Sequence, residues 1–126
     1  MTAQANVQVI MTIQDPDLDE EELQASIEKL LVQLREVDGI ERADLVAVEE
    51  VPKDSKAFGG FLLGMLTAEV NFANIKKLMV FLSDRLGGKQ IEMVLKTPDG
   101  RELNLKASSQ SEFEFAFMKA QEFLKS

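Results

Sequence analysis

The segment KQIEMVLKTPDGRELNLKA, Lys89 to Ala107, restricts the fold of this chain more than any other. Pro98, Asp99 and Gly100 suit a type I turn with a glycine bulge, a three-residue loop that pairs Thr97 with Arg101. Counting outward fixes the remaining pairs. Leu95 faces Leu103, Met93 faces Leu105 and Ile91 faces Ala107 on one side. Lys96 faces Glu102, Val94 faces Asn104 and Glu92 faces Lys106 on the other. One side is apolar and the other holds two opposite-charge pairs, so a one-residue slip would invert both. The segment reads as a hairpin with one buried and one wet face.

The flanking patterns supply the rest of a small domain. Val7, Val9, Met11 and Ile13 recur every second residue, as in a half-buried strand. After DPDLDEEE, the residues Leu23, Ile27, Leu30, Leu31, Leu34 and Val37 recur at three- and four-residue steps, giving a helix with one apolar face. Gly39 is a natural left-handed stop for it. Ile40 to Glu50 reads as a second strand ended by Pro52. Phe72, Ile75, Met79, Leu82 and Leu86 mark a second amphipathic helix, capped by Asn71 and ended by Gly87-Gly88. A last helix starts near SSQSE, with Ser109 or Ser111 as cap, and its stripe is Phe113, Phe117, Ala120 and Leu124. Phe115 and Met118 lie off that stripe.

The segment KAFGGFLLGMLTAEVNF, Lys56 to Phe72, has twelve uncharged residues between Lys56 and Glu69, three of them glycine. It is shorter than the roughly twenty apolar residues that span a bilayer, so no transmembrane segment is expected. Its glycines fit neither G-x-G-x-x-G nor a phosphate loop followed by Lys-Ser/Thr. Residues 58–66 are apolar nearly all round, which in a soluble helix means burial on several sides. Two readings follow. Either this short helix is wedged in the core, or part of Phe58, Phe61, Leu62, Leu63, Met65 and Leu66 waits for a protein partner or a second copy. Phe115 and Met118 form a second candidate contact.

A chain of 126 residues holds one full core, so a single domain over 1–126 is expected. It contains no histidine, cysteine, tyrosine or tryptophan. Ser-His-Asp and Cys-His sites are excluded, as are metal sites built on imidazole or thiolate. Carboxylate chemistry remains, and Glu69, at the end of the apolar stretch, is the acid to examine. Asp15, Asp17 and Asp19 are spaced like the start of a calcium loop. Glu20 stands where that loop needs glycine, and Ser26 where it needs glutamate. These acids suit a helix start. No cofactor or metal is expected.

Residues 1–56 carry 14 acidic and 5 basic side chains, residues 57–126 carry 8 and 9, and the net charge is −8. Such a chain repels phosphate backbones, so nucleic acid is a poor partner. The hairpin's wet face also has no aromatic residue on which a base could stack. The N-terminus has no basic start and no long apolar run, and with no cysteine a cytoplasmic location is expected.

Taken in order, AFGGFLLGMLTAEV, IKKLMVFLSDRL, KQIEMVLKTPDGRELNLKASS and EFEFAFMKAQEFL resemble the effector-associated constant component domain of bacterial conflict systems. The earlier strand-helix-strand fits the same layout. The resemblance implies a small non-enzymatic component, encoded beside or fused to a trypsin-like or caspase-like protease or a regulatory NTPase, that senses or couples in defence signalling. It carries over no catalytic residue.

The expected fold is therefore α+β, a two-layer sandwich with a single sheet of about four strands and helices on one face, in the order β-α-β-α-β-β-α. The expected function is a non-catalytic module working through protein contacts, with possible self-association. A small-molecule-sensing domain, a carboxylate enzyme centred on Glu69 and a peripheral membrane module are the competing readings.

Overall fold

The computed structural model describes residues 6–47, 57–58, 60–86 and 88–125, with the side chains of 57–58 excepted. Strand β1 spans Asn6–Gln14, and helix α1 spans Glu20–Leu34. Strands β2 (Ile40–Ala47), β3 (Ala57–Phe58) and β4 (Phe61–Asn71) follow. A 3-10 turn at Phe72–Asn74 leads into α2, Ile75–Leu86. Strands β5 (Gln90–Lys96) and β6 (Glu102–Ala107) and helix α3 (Gln110–Lys125) complete the chain.

The strands form one antiparallel sheet in the order β2-β4-β1-β5-β6, and the two-residue β3 pairs with β4. β1 and β2 run parallel with β4 between them, and β4 and β5 run parallel with β1 between them. Two split β-α-β units are thereby interlocked, a ferredoxin-like arrangement. β6 and α3 extend it at one edge. One buried cluster joins Val7, Val9, Met11 and Ile13 of β1 to residues of all three helices, so the helices cover one face. Among the described residues, no helix lies on the other face, the bare face of the sheet.

The apolar segment corrects the helix expected at 58–66. Residues 61–71 are a strand inside the sheet, and five strands with a two-residue sixth replace the expected four. Leu62, Leu66, Ala68 and Val70 are buried and Leu63, Met65, Thr67 and Glu69 half-buried, and from Met65 to Val70 the two sets take opposite faces. Pairing to β1 on one side and β2 on the other satisfies its backbone, and the sheet interior accepts apolar residues on both faces. Three glycines also weaken a helix here by about 1 kcal/mol each.

Gly64 bends this strand. Its φ is +74°, and a Cβ there would stand 2.8 Å from the Ile13 carbonyl oxygen. Its N–H turns to the buried Gln24 of α1, donating to Oε1 at 3.2 Å. Register with β2 shifts at the same place, where residues 62–65 stand opposite Val46. Such a bulge lets one strand meet β1 regularly while kinking against β2.

The helix starts and the hairpin form as the sequence dictates, but α1 is capped at Arg35, short of Val37 and of the stop expected at Gly39. Asp19 and Glu22 make a reciprocal capping box at the start of α1. α1 stops at Leu34, before Gly39 at φ +93°. Asn71 accepts from Ala73 N at 2.9 Å, and Ser109 Oγ accepts from Glu112 N at 3.2 Å. The hairpin has the register counted from its turn, with all six pairs in place. Thr97 N donates to Arg101 O and Gly100 N to Thr97 O, both at 3.0 Å. Arg101 ties this turn to α3, donating to the Phe123 carbonyl at 3.0 Å. The last residues of the expected second strand, 48–50, and Gly87 lie outside the described residues.

Alanine at Gly64 meets both the left-handed backbone and the Ile13 carbonyl. Gly64→Ala is expected to lower the unfolding free energy by roughly 2 kcal/mol or more in urea denaturation. Gly100→Ala, with open space around its Cβ, should cost less, about 1 to 2 kcal/mol.

Candidate functional site

The bare face of the sheet is set by alternation. Val9 of β1 points to the helices with Ala68 and Leu95, so Gln8, Ile10 and Thr12 point away with their cross-strand partners. Three rows result. Arg42, Glu69, Gln8, Lys96 and Glu102 form the first, reading from β2 to β6. Asp44, Thr67, Ile10, Val94 and Asn104 form the second. Met65, Thr12, Glu92 and Lys106 form the third. The middle is thus apolar or hydroxylic and the margins are charged. Leu63 is half-buried beside Met65, and Phe61, 38% exposed at the start of β4, pairs with Ala47 at the β2 edge.

Charges here are largely paired within the chain. Lys96 Nζ lies 3.8 Å from Glu102 and Lys106 Nζ 3.9 Å from Glu92. Asp44 takes Arg35 on one oxygen and Arg42 on the other, both at 3.1 Å. Arg35, the C-cap of α1, also donates to the Ala43 carbonyl at 2.9 Å. Glu69, the candidate catalytic acid, sits half-buried in the first row and has no ion-pair partner among the described residues. Its neighbours across the strands are Gln8 and Arg42 rather than a second acid.

The contact residues expected from sequence separate into three groups. Met65 lies on the bare face beside Thr12, Leu63 shares the wall of one groove with it, and Phe61 pairs with Ala47 at the β2 edge near Leu31 of α1 and the C-cap Arg35. Leu62 and Leu66 do not join them, because they are 1% and 0% exposed, Leu66 within the core under the helices. A strand sends alternate residues to opposite sides, so one helical surface made of all six does not exist. The side chain of Phe58 lies outside the described residues. Phe115 and Met118 stand on the outer side of α3, 59% and 58% exposed, with the Lys119 ammonium 5.3 Å from the Phe115 ring.

The acids of the first loop have structural work. Asp15 Oδ1 accepts from Asp17 N, and its other oxygen meets Lys89 Nζ at 3.1 Å. The Lys89 bond, followed by the Asp17 N–H, holds the Asp15 carboxyl below its ordinary range. Asp99 is lowered mainly by the Thr97 hydroxyl and then by Arg101. Among the described residues, no three acids lie close enough together to hold a metal ion. A groove of about 990 Å3 opens beside Asp15 and Lys89, with Met65, Leu63 and Ser108 also on its wall. No helix among the described residues is long and apolar enough to cross a membrane.

Sequence reading missed β4, although a signal was present. From Leu66 to Asn71 the order Leu-Thr-Ala-Glu-Val-Asn alternates apolar and polar residues. It also missed Gln24, a polar side chain within the apolar stripe of α1, because only tertiary packing brings it to Gly64.

Aspartate at Leu62 or Leu66 buries a charge and should cost about 3 kcal/mol or more, whereas aspartate at Leu63 or Met65 should cost less than about 1.5 kcal/mol. Chemical denaturation of the four single variants measures the contrast. Comparison with family models, curated proteins and solved structures finds no match.

Proposed function

We propose that this protein is a non-catalytic accessory module that works through protein contacts, coupling or sensing beside an effector in a bacterial conflict system. The observation that carries this reading is the presence of two separate apolar surfaces on one small domain. One is the bare face with Leu63, Met65, Ile10 and Val94. The other is the pair Phe115 and Met118 on α3, beyond the helical layer. A coupling module needs two contacts, because one contact alone transmits nothing. The order of parts in the sequence, with its resemblance to the effector-associated constant component domain, supplies the context and the class of partner. The partner class is a protease or a regulatory NTPase.

The lack of histidine, cysteine and tyrosine supports the same reading, since it leaves carboxylates, lysines, arginines and hydroxyls for any chemistry. Glu69 has Gln8 and Arg42 as cross-strand neighbours rather than a second acid, which supports a structural over a catalytic role.

Exposed aromatic and methionine side chains are suited to a partner's pocket, and truncating such anchors costs the most binding energy. Co-expression with each protein encoded beside this gene, followed by affinity purification, tests the reading. A protease or NTPase should co-purify with the wild type. Phe115→Asp combined with Met118→Asp should abolish recovery without changing the far-UV circular dichroism. A wild-type chain that purifies free of all of them, or a folded double variant that keeps its partner, contradicts the proposal.

A further inference from the structure

The bare face has a charge pattern that an arbitrary partner would not require. Its three rows hold three basic and four acidic side chains, so the face is nearly neutral on a chain of net charge −8. A second copy therefore meets least repulsion on this side. The pattern is also complementary to itself. A two-fold axis lying in the interface along β1 carries β4 over β5 of the second copy and β2 over its β6. The first row then meets itself reversed. Arg42 stands over Glu102 of the second copy, Glu69 over Lys96, and Gln8 over Gln8. In the second row Asp44 meets Asn104, Thr67 meets Val94, and Ile10 packs on Ile10. In the third, Thr12 meets Thr12 and Met65 lies over Glu92, which keeps its own Lys106. No like charges are opposed. The other two-fold, across the strands through Ile10, stacks Asp44 on Asp44 and is disfavoured.

We infer that the bare sheet face binds a second copy of this chain, forming a two-fold dimer with Ile10 at its centre and Glu69 paired to Lys96 across the interface. The pairing supplies the partner that Glu69 lacks among the described residues. Sheets stacked face to face lie about 10 Å apart and cross near 30°, a gap that Arg, Lys and Glu side chains span at the margins. Five strands of about seven residues present a face of roughly 24 by 23 Å. In projection that is about 550 Å2, before side-chain relief is added. A standard interface buries about 800 Å2 of accessible surface per partner, so the face is of suitable size. The inference rests on the reading of the chain as a contact module and assigns one of its two surfaces.

Analytical ultracentrifugation of the full chain tests it across a wide concentration range. The expected result is a concentration-dependent dimer of the 14.1 kDa chain. Ile10→Glu places two like charges on the axis and should leave a monomer. Glu69→Lys alone and Lys96→Glu alone should each raise the dimer Kd by roughly tenfold or more, through two like-charge contacts per dimer. Combining both restores opposite charges and should recover most of the affinity. A wild type that stays monomeric overturns the inference, as does a dimer indifferent to these substitutions. A monomeric wild type that still co-purifies with an effector shows that only this assignment failed. A dimer that recruits no effector shows the reverse, since α3 is untouched by these changes.

Discussion

The structure depends on β1 being hydrogen-bonded along both edges. β4 pairs with it from Asn6 to Thr12 and β5 from Gln8 to Gln14, so its two-residue period fixes which face each neighbour buries. Val7, Val9, Met11 and Ile13 go to the helices and are followed there by alternate residues of β4 and β5. Among the described residues, no helix meets the remaining alternate residues. The bare face, with its mixture of Ile10, Val94 and flanking charges, is thus a consequence of β1 rather than an independent feature. A slip of one residue in either ladder would move charges into the core, which strongly specifies the register.

Local chemistry that acts within one turn or one loop was legible in the residues. The Pro98-Asp99-Gly100 loop determined six cross-strand pairs, because hairpin register follows from turn length alone. The helices were legible from their stripes, with Asn71 and Ser109 as caps. What was not legible required contacts distant in sequence. An apolar run of helix-compatible length does not distinguish a helix from a buried strand, and the answer came from β1 and β2 on either side of it. The Gly64 kink needed Gln24, forty residues earlier, to accept its N–H. Likewise the division of half-buried Leu63 and Met65 from buried Leu62 and Leu66 follows only once the segment is known to be extended.

The same division reshapes the account of function. Read as a helix, residues 58–66 offered one apolar surface. As a strand they contribute half their side chains to the core and half to a face already furnished by β1, β5 and β6. Contact and stability are therefore separable along β4, one residue at a time. The net charge is separable too. It belongs to the loops and helical layer, while the bare face is nearly balanced.

Because the chain has no cysteine, a single introduced thiol reports on one position without background. Reactivity of a water-soluble thiol reagent with Leu62→Cys through Ala68→Cys, in dilute solution, tests the central claim that this segment is a strand with one bare face. The account predicts a two-residue alternation, with fast labelling at 63, 65 and 67 and protection at 62, 66 and 68. Reactivity recurring every three or four residues, or protection throughout, would contradict it.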